Sequence, residues 1–186
     1  MKWIGDRISF LDKKDYLTVV IYPPNIGFKK TLILIWVMLW YAVGAIMISQ
    51  YFQDYTEKEK IVIIVFLAFW LYYAVRVTRT LLLLYFGKEY LKLDQTALRV
   101  KRATGKYGST KQYFIENISK FEVIELKERS FQSVYEDSPW VRGTDKLHFD
   151  YMGKNISFGR KLNEKDAELL FKLLVKRIEQ YLKKKS

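Results

Sequence analysis

The chain has 186 residues, half of them hydrophobic and 17% aromatic, with 32 Lys plus Arg against 20 Asp plus Glu and hence a net charge of +12. It contains no cysteine, which excludes disulfide staples, thiolate metal sites and cysteine nucleophiles. So much apolar surface beside so large a cationic surplus points to a chain that faces lipid as well as water, next to an anionic neighbour.

In chain order, residues 1–30 form an N-terminal cytoplasmic segment whose stretch "DYLTVVIYPP" is rich in β-formers and ends at Pro23-Pro24, which cannot continue a ladder. It is predicted to be one strand, and because its backbone groups need partners, it is expected to add to an edge of the sheet formed later in the chain. Lys29 and Lys30 follow as anchors at a membrane border.

Residues 31–86 read as a transmembrane helical hairpin. Thr31 to Phe52 is a run of 22 residues without a charge, enough at about 1.5 Å per residue to cross a hydrocarbon core of about 30 Å. The run is too long for a signal-peptide core and begins too late. A second apolar segment, 61–86, is charge-free only as far as Val75, and Arg76 and Arg79 then interrupt it. The short connection "QDYTEKEK" has two lysines, whereas residues 1–30 carry six Lys or Arg and residues 76–186 carry 24, so both termini are predicted to be cytoplasmic. With the second helix entering near Ile61, Arg76 and Arg79 fall about 23 and 27 Å along it, at the inner border of the core, where their side chains reach headgroup phosphates. "TLLLLYF" should project past the lipid with Gly87 as its C-cap, its leucines shielded by the domain that follows.

Residues 87–186 switch to strand periodicity. "EYLKLDQTALRVKR" is a hairpin turning at Asp94–Thr96, "TKQYFI" a third strand and "ISKFEVIEL" a fourth; "SFQSVYEDSPWVRG" holds a possible fifth and a loop, and "KLHFDYMGKNISFG" is a hairpin with Met152 and Gly153 at its turn. About seven short strands over some seventy residues suggest a small barrel or sandwich. A helix over 163–184 closes the chain, with Asn163 as N-cap and an apolar stripe of Ala167, Leu170, Phe171, Leu174, Ile178 and Tyr181. The fold class is therefore α+β: a two-helix transmembrane hairpin, then a small strand-rich domain capped by a C-terminal helix.

This order, carried by "LYFGKEYLKLDQTALRVKR" and "LHFDYMGKNISFGRKLNEKDAELL" together with the paired spans, resembles small bacterial membrane proteins that combine an N-terminal strand, two transmembrane helices and a pleckstrin-homology-like domain. The resemblance implies a seven-stranded bent barrel closed by the C-terminal helix and residence in the bacterial inner (cytoplasmic) membrane. It implies no activity.

No constellation of catalytic residues stands out. His148 lies two positions from Asp150 on one strand face, but no second histidine or cysteine completes a zinc set, so no metal or cofactor is expected. "ATGKYGST" lies between two strands rather than opening a helix, which rules it out as a phosphate loop. The expected function is a non-enzymatic, membrane-anchored module that binds a protein or anionic-lipid partner in the assembly or regulation of a membrane complex. Lipid headgroups would meet Arg99, Lys101, Arg102, Lys106 and Lys111, which surround the loop between the second and third strands; Lys29, Lys30, Arg76 and Arg79 mark the membrane border. A protein partner or a homo-oligomer is expected, and a different class, a subunit lending helices to an oligomeric transport or channel assembly, forms the alternative. Nucleic acid is not expected, because no aromatic platform accompanies the basic residues.

Overall fold

The structure, a computed structural model, describes residues 1–124, 138 and 140–185. Three strands precede the first helix: β1 (Lys2–Ile4), β2 (Ile8–Asp12) and β3 (Tyr16–Ile21). Helices α1 (Phe28–Tyr51) and α2 (Glu57–Phe86) follow, then β4 (Gly87–Asp94), β5 (Ala97–Thr104) and β6 (Tyr107–Phe114), a 3-10 turn (Ile115–Asn117), β7 (Ile118–Val123), β8 (Asp145–Tyr151), β9 (Lys154–Arg160) and α3 (Glu164–Lys185). The architecture is α+β, with antiparallel sheets ordered β1-β2-β3-β4-β5-β6 and β7-β8-β9. Among the described residues the two sheets do not close into one barrel. The possible fifth strand falls largely outside the described residues.

The first sheet is a meander interrupted by the helices. β3 pairs with β4 from Tyr16↔Asp94 to Ile21↔Glu89, so the whole hairpin is an insertion between adjacent strands. The edge addition expected of "DYLTVV" is therefore present, but the N-terminal segment contributes three strands, not one. β1 is only three residues long, too short for alternation to register.

Cross-strand rows explain the core. Leu17, Leu93 and Leu98 form one row on the inner face of the sheet, Val19, Leu91 and Val100 the next, and all six are buried. They meet Leu147, Phe149 and Phe158 from the second sheet and Ala167, Leu170 and Leu174 from α3. The α3 stripe is thus covered as its spacing requires, and Asn163 caps the helix by accepting the Asp166 backbone N–H at 2.7 Å.

α1 and α2 are long and apolar enough to cross a membrane, and less than a quarter of each span (17% and 22%) is buried. Met38, Leu39, Ile46, Val62 and Phe69 are all exposed around the pair, which a helix in a soluble core would not show. The seam between them has Ile33 and Val37 against Val77, Leu81 and Leu84. The indoles of Trp40 and Trp70 each donate to the other residue's backbone carbonyl, at 3.2 and 2.8 Å. Gly44 makes this approach possible, since a Cβ there would overlap the Trp70 ring.

This antiparallel register differs from the sequence expectation in one respect. Because α1 starts at Phe28, its first turns lie beside "TLLLLYF", and Leu81 and Leu84 are covered chiefly by α1. Leu82 and Phe86 stay exposed, at 43% and 54%. Gly87 does end α2, its N–H donating to the Leu83 carbonyl, but in extended rather than left-handed conformation (φ −72°). A Cβ at Gly87 would collide with that carbonyl oxygen, so glycine lets the helix pass directly into β4.

Candidate anion-binding site

The inner face of the first sheet changes character in its third row. After the leucine and valine rows come Ile21, Glu89 and Arg102, at the end of the sheet nearest the helices. Glu89 is buried; its carboxylate accepts the Gly159 backbone N–H at 2.8 Å and lies 3.9 Å from the Arg102 guanidinium. Asp145 receives Arg102 at 2.6 Å, Arg160 at 3.3 Å and the Ser157 hydroxyl at 2.9 Å. Two carboxylates thus tie β4 and β5 to β8 and β9.

Beside this row lies a cavity of about 330 Å³, at the small end of the range for ligand sites. α2 contributes Thr80, Leu83 and Leu84, the β3–α1 connection Pro23 and Pro24, and the approach to β8 Val141 and Arg142. Among the described residues six basic side chains line it, Arg7, Lys88, Arg102, Arg142, Arg160 and Lys161, against the single carboxylate of Glu89. Even with Asp145 behind the wall, the cations remain in excess among the described residues.

These cations are not equally committed. Arg7, in the β1–β2 turn, donates to the carbonyls of Tyr22 (3.0 Å), Arg160 (3.1 Å) and Lys161, fastening the N-terminal strands to the corner before α3. Burial pushes its guanidinium down to about 10 against the pull of Glu89 and Asp166, so it stays charged at neutral pH. Lys161 donates to the Ser138 carbonyl at 2.7 Å, and Lys88 lies over the Tyr22 ring. Arg142 is exposed, and it has neither a hydrogen bond nor an ion pair among the described residues. Burial first, and then repulsion from Arg160, Arg79 and Arg102, holds its guanidinium below the ordinary arginine range. Four arginines from four separate parts of the chain, Arg7, Arg102, Arg142 and Arg160, therefore share the wall of one cavity.

The sequence-predicted residues separate accordingly. Arg102 joins the site, and Arg79, one turn before Leu83 on α2, is not among the lining residues but adds to the positive charge that lowers the Arg142 pKa. Lys106 occupies the β5–β6 turn, where the Gly105 N–H donates to the Phe86 carbonyl, so it also lies at the helical end. Lys111 is opposite Val100, in a cleft between β5, β6 and β9 that Arg102 also borders. Arg99 and Lys101 lie on the opposite face of β5, and Arg99 is held by Asp94 at 2.6 Å near the far end. Arg76 contacts the Tyr72 hydroxyl at 3.3 Å on α2 and is not among the lining residues of the cavity. Lys29 is exposed, and the Lys30 ammonium lies over the Tyr85 ring, 5.6 Å from its centre.

Arg7, Arg142 and Arg160 have no place among the residues singled out from the sequence, because only the fold brings these isolated basic residues together. His148 pairs with Glu122 at 3.4 Å across β7 and β8, not with Asp150, and among the described residues no group of His, Asp or Glu could hold a metal ion. The chain matches no family model, no characterised protein and no solved structure.

Proposed function

We propose that this chain is a non-enzymatic, membrane-anchored module whose α+β domain, of pleckstrin-homology-like type, lies on the cytoplasmic side of the bacterial inner membrane. It binds an anionic partner, either a lipid headgroup or an acidic protein segment, where the hairpin meets the domain, and so serves the assembly or regulation of a membrane complex. The gathering of Arg7, Arg102, Arg142 and Arg160 in the wall of one cavity, with Arg79 a turn away on α2, carries this reading. Like charges so placed repel, and an incoming anion relieves that repulsion. The two packed sheets with a helix on their shared core support the domain type, and the unequal distribution of basic residues supports the orientation.

The absence of native cysteines makes the topology testable by single substitutions. An impermeant maleimide should label Tyr55→Cys in intact cells and Lys106→Cys only after permeabilisation; the reverse pattern overturns the orientation. In reconstituted vesicles, phosphatidylglycerol or an added poly-glutamate should raise the melting temperature relative to phosphatidylcholine alone. No shift with either anion overturns the binding reading.

A further inference from the structure

Three features of the junction cavity go beyond a general attraction for anions. Its wall is mixed, with Leu83, Leu84 and Val141 beside the cations, whereas a site for a small hydrophilic ion has no need of apolar walls. Arg142 lines the cavity with neither a hydrogen bond nor an ion pair among the described residues, while Arg102 and Arg160 already share Asp145. The cavity also borders the last turns of α2, where Leu82 and Phe86 are exposed and, across the pair, Leu32 and Ile35 continue the same apolar collar at 48% each. The rings of Trp36 and Trp40 stack on α1, with Trp140 set edge-on against Trp36; amphipathic rings of this kind favour the headgroup zone of a bilayer.

We propose that the cavity holds the phosphate of a single membrane phospholipid, with Arg142 and Arg160 in its wall as anion contacts, Arg79 reaching in from the neighbouring turn of α2 as a third, and the collar of Leu82 and Phe86 as the track for its acyl chains. Guanidinium forks suit a phosphate oxygen pair, and a lipid satisfies the cationic and the apolar features at once. An acidic protein segment would satisfy only the first, leaving the collar uncovered. The proposal rests on the membrane-anchored reading above and narrows its partner to one class.

The test uses the full chain, delipidated in detergent and followed by native mass spectrometry. Phosphatidylglycerol should give one saturable adduct, at least tenfold tighter than phosphatidylcholine. Arg79→Gln/Arg142→Gln should weaken that adduct at least tenfold with the melting temperature in detergent unchanged, since both side chains are exposed. Lys154→Gln/Lys172→Gln, which removes two charges elsewhere, should leave it intact. Equal adducts with the two lipids, or an adduct indifferent to Arg79 and Arg142, overturns the proposal. So does displacement of phosphatidylglycerol by millimolar inorganic phosphate or by poly-glutamate, which assigns the site to a free anion or to a protein. These failures leave the maleimide pattern as it stands, whereas a reversed pattern defeats the anchoring reading even if an adduct forms.

Discussion

Glu89 and Arg102 stand directly opposite each other on β4 and β5, on the sheet face that also carries the buried Leu91, Leu93, Leu98 and Val100. The carboxylate also accepts the Gly159 N–H, so one side chain joins the two sheets at the edge of the cavity. Glu89→Ala leaves that N–H without an acceptor and removes a counter-charge from the cationic row; a loss of about 3 kcal/mol is expected. Glu89→Gln keeps an acceptor and should lose less than half as much. Melting temperatures of the two variants in the same detergent check the order, and equal losses would show that the hydrogen bond contributes nothing.

Arg7 makes a second prediction. Its guanidinium serves three carbonyls that belong to separate parts of the chain, the end of β3 and the corner between β9 and α3. In Arg7→Ala those carbonyls lose their donor, and the β1–β2 amides, beyond the β3 ladder, should exchange hydrogen faster by an order of magnitude or more. Arg7→Lys supplies a point charge without the fork and should recover only part of the protection. If exchange in β1 and β2 is unchanged in both variants, the clamp is not what holds the N-terminal strands.

The hairpin seam gives a third. Any side chain at residue 44 enters the Trp70 indole, and the reciprocal hydrogen bonds of Trp40 and Trp70 depend on that contact distance. Gly44→Ala should cost about 1–3 kcal/mol by overpacking, and Gly44→Leu should separate the helices. The shift of tryptophan emission toward the red in the leucine variant, with a lowered melting temperature, is the measurement.

Much of this fold is legible from periodicity, and the exceptions have physical reasons. Strands β4, β5, β8 and β9 alternate cleanly because one face meets the core, and α3 shows its stripe for the same reason. The paired apolar runs announce α1 and α2. By contrast β1 is a three-residue edge strand, and the five-residue β2 buries Ile8 and Ser9 side by side, so neither carries enough alternation to distinguish it from a loop. The site is partly legible: Glu89 falls on the parity of Leu91 and Leu93, and Arg102 on that of Leu98 and Val100, so each places a charge where the pattern demands an apolar residue. Such a breach of alternation is a local signal of a functional or structural polar pair. Arg7, Arg142 and Arg160 carry no comparable mark, since their meeting depends on contacts across the whole length of the chain.

The β4–β5 turn allows a pH prediction. One Asp94 carboxylate oxygen accepts the Thr96 N–H at 3.0 Å, the Thr96 hydroxyl at 2.8 Å and the Ala97 N–H at 2.9 Å, while the other receives Arg99 at 2.6 Å. Burial alone would raise this pKa, but the hydrogen bonds from Thr96 and Ala97 and the Arg99 charge outweigh it and hold the group below its ordinary 3.8. A carboxyl depressed in the folded state stabilises above its unfolded pKa and loses that contribution as pH falls through the folded value. Asp94→Asn preserves the turn geometry but not the ion pair, and because Arg99 is a third exposed, the expected loss at neutral pH is only about 0.5–1 kcal/mol. The difference in melting temperature between wild type and Asp94→Asn should stay level from pH 7 down to about pH 4 and shrink below it. A difference that persists unchanged to pH 2 would mean that the carboxylate charge has no part in fastening this turn.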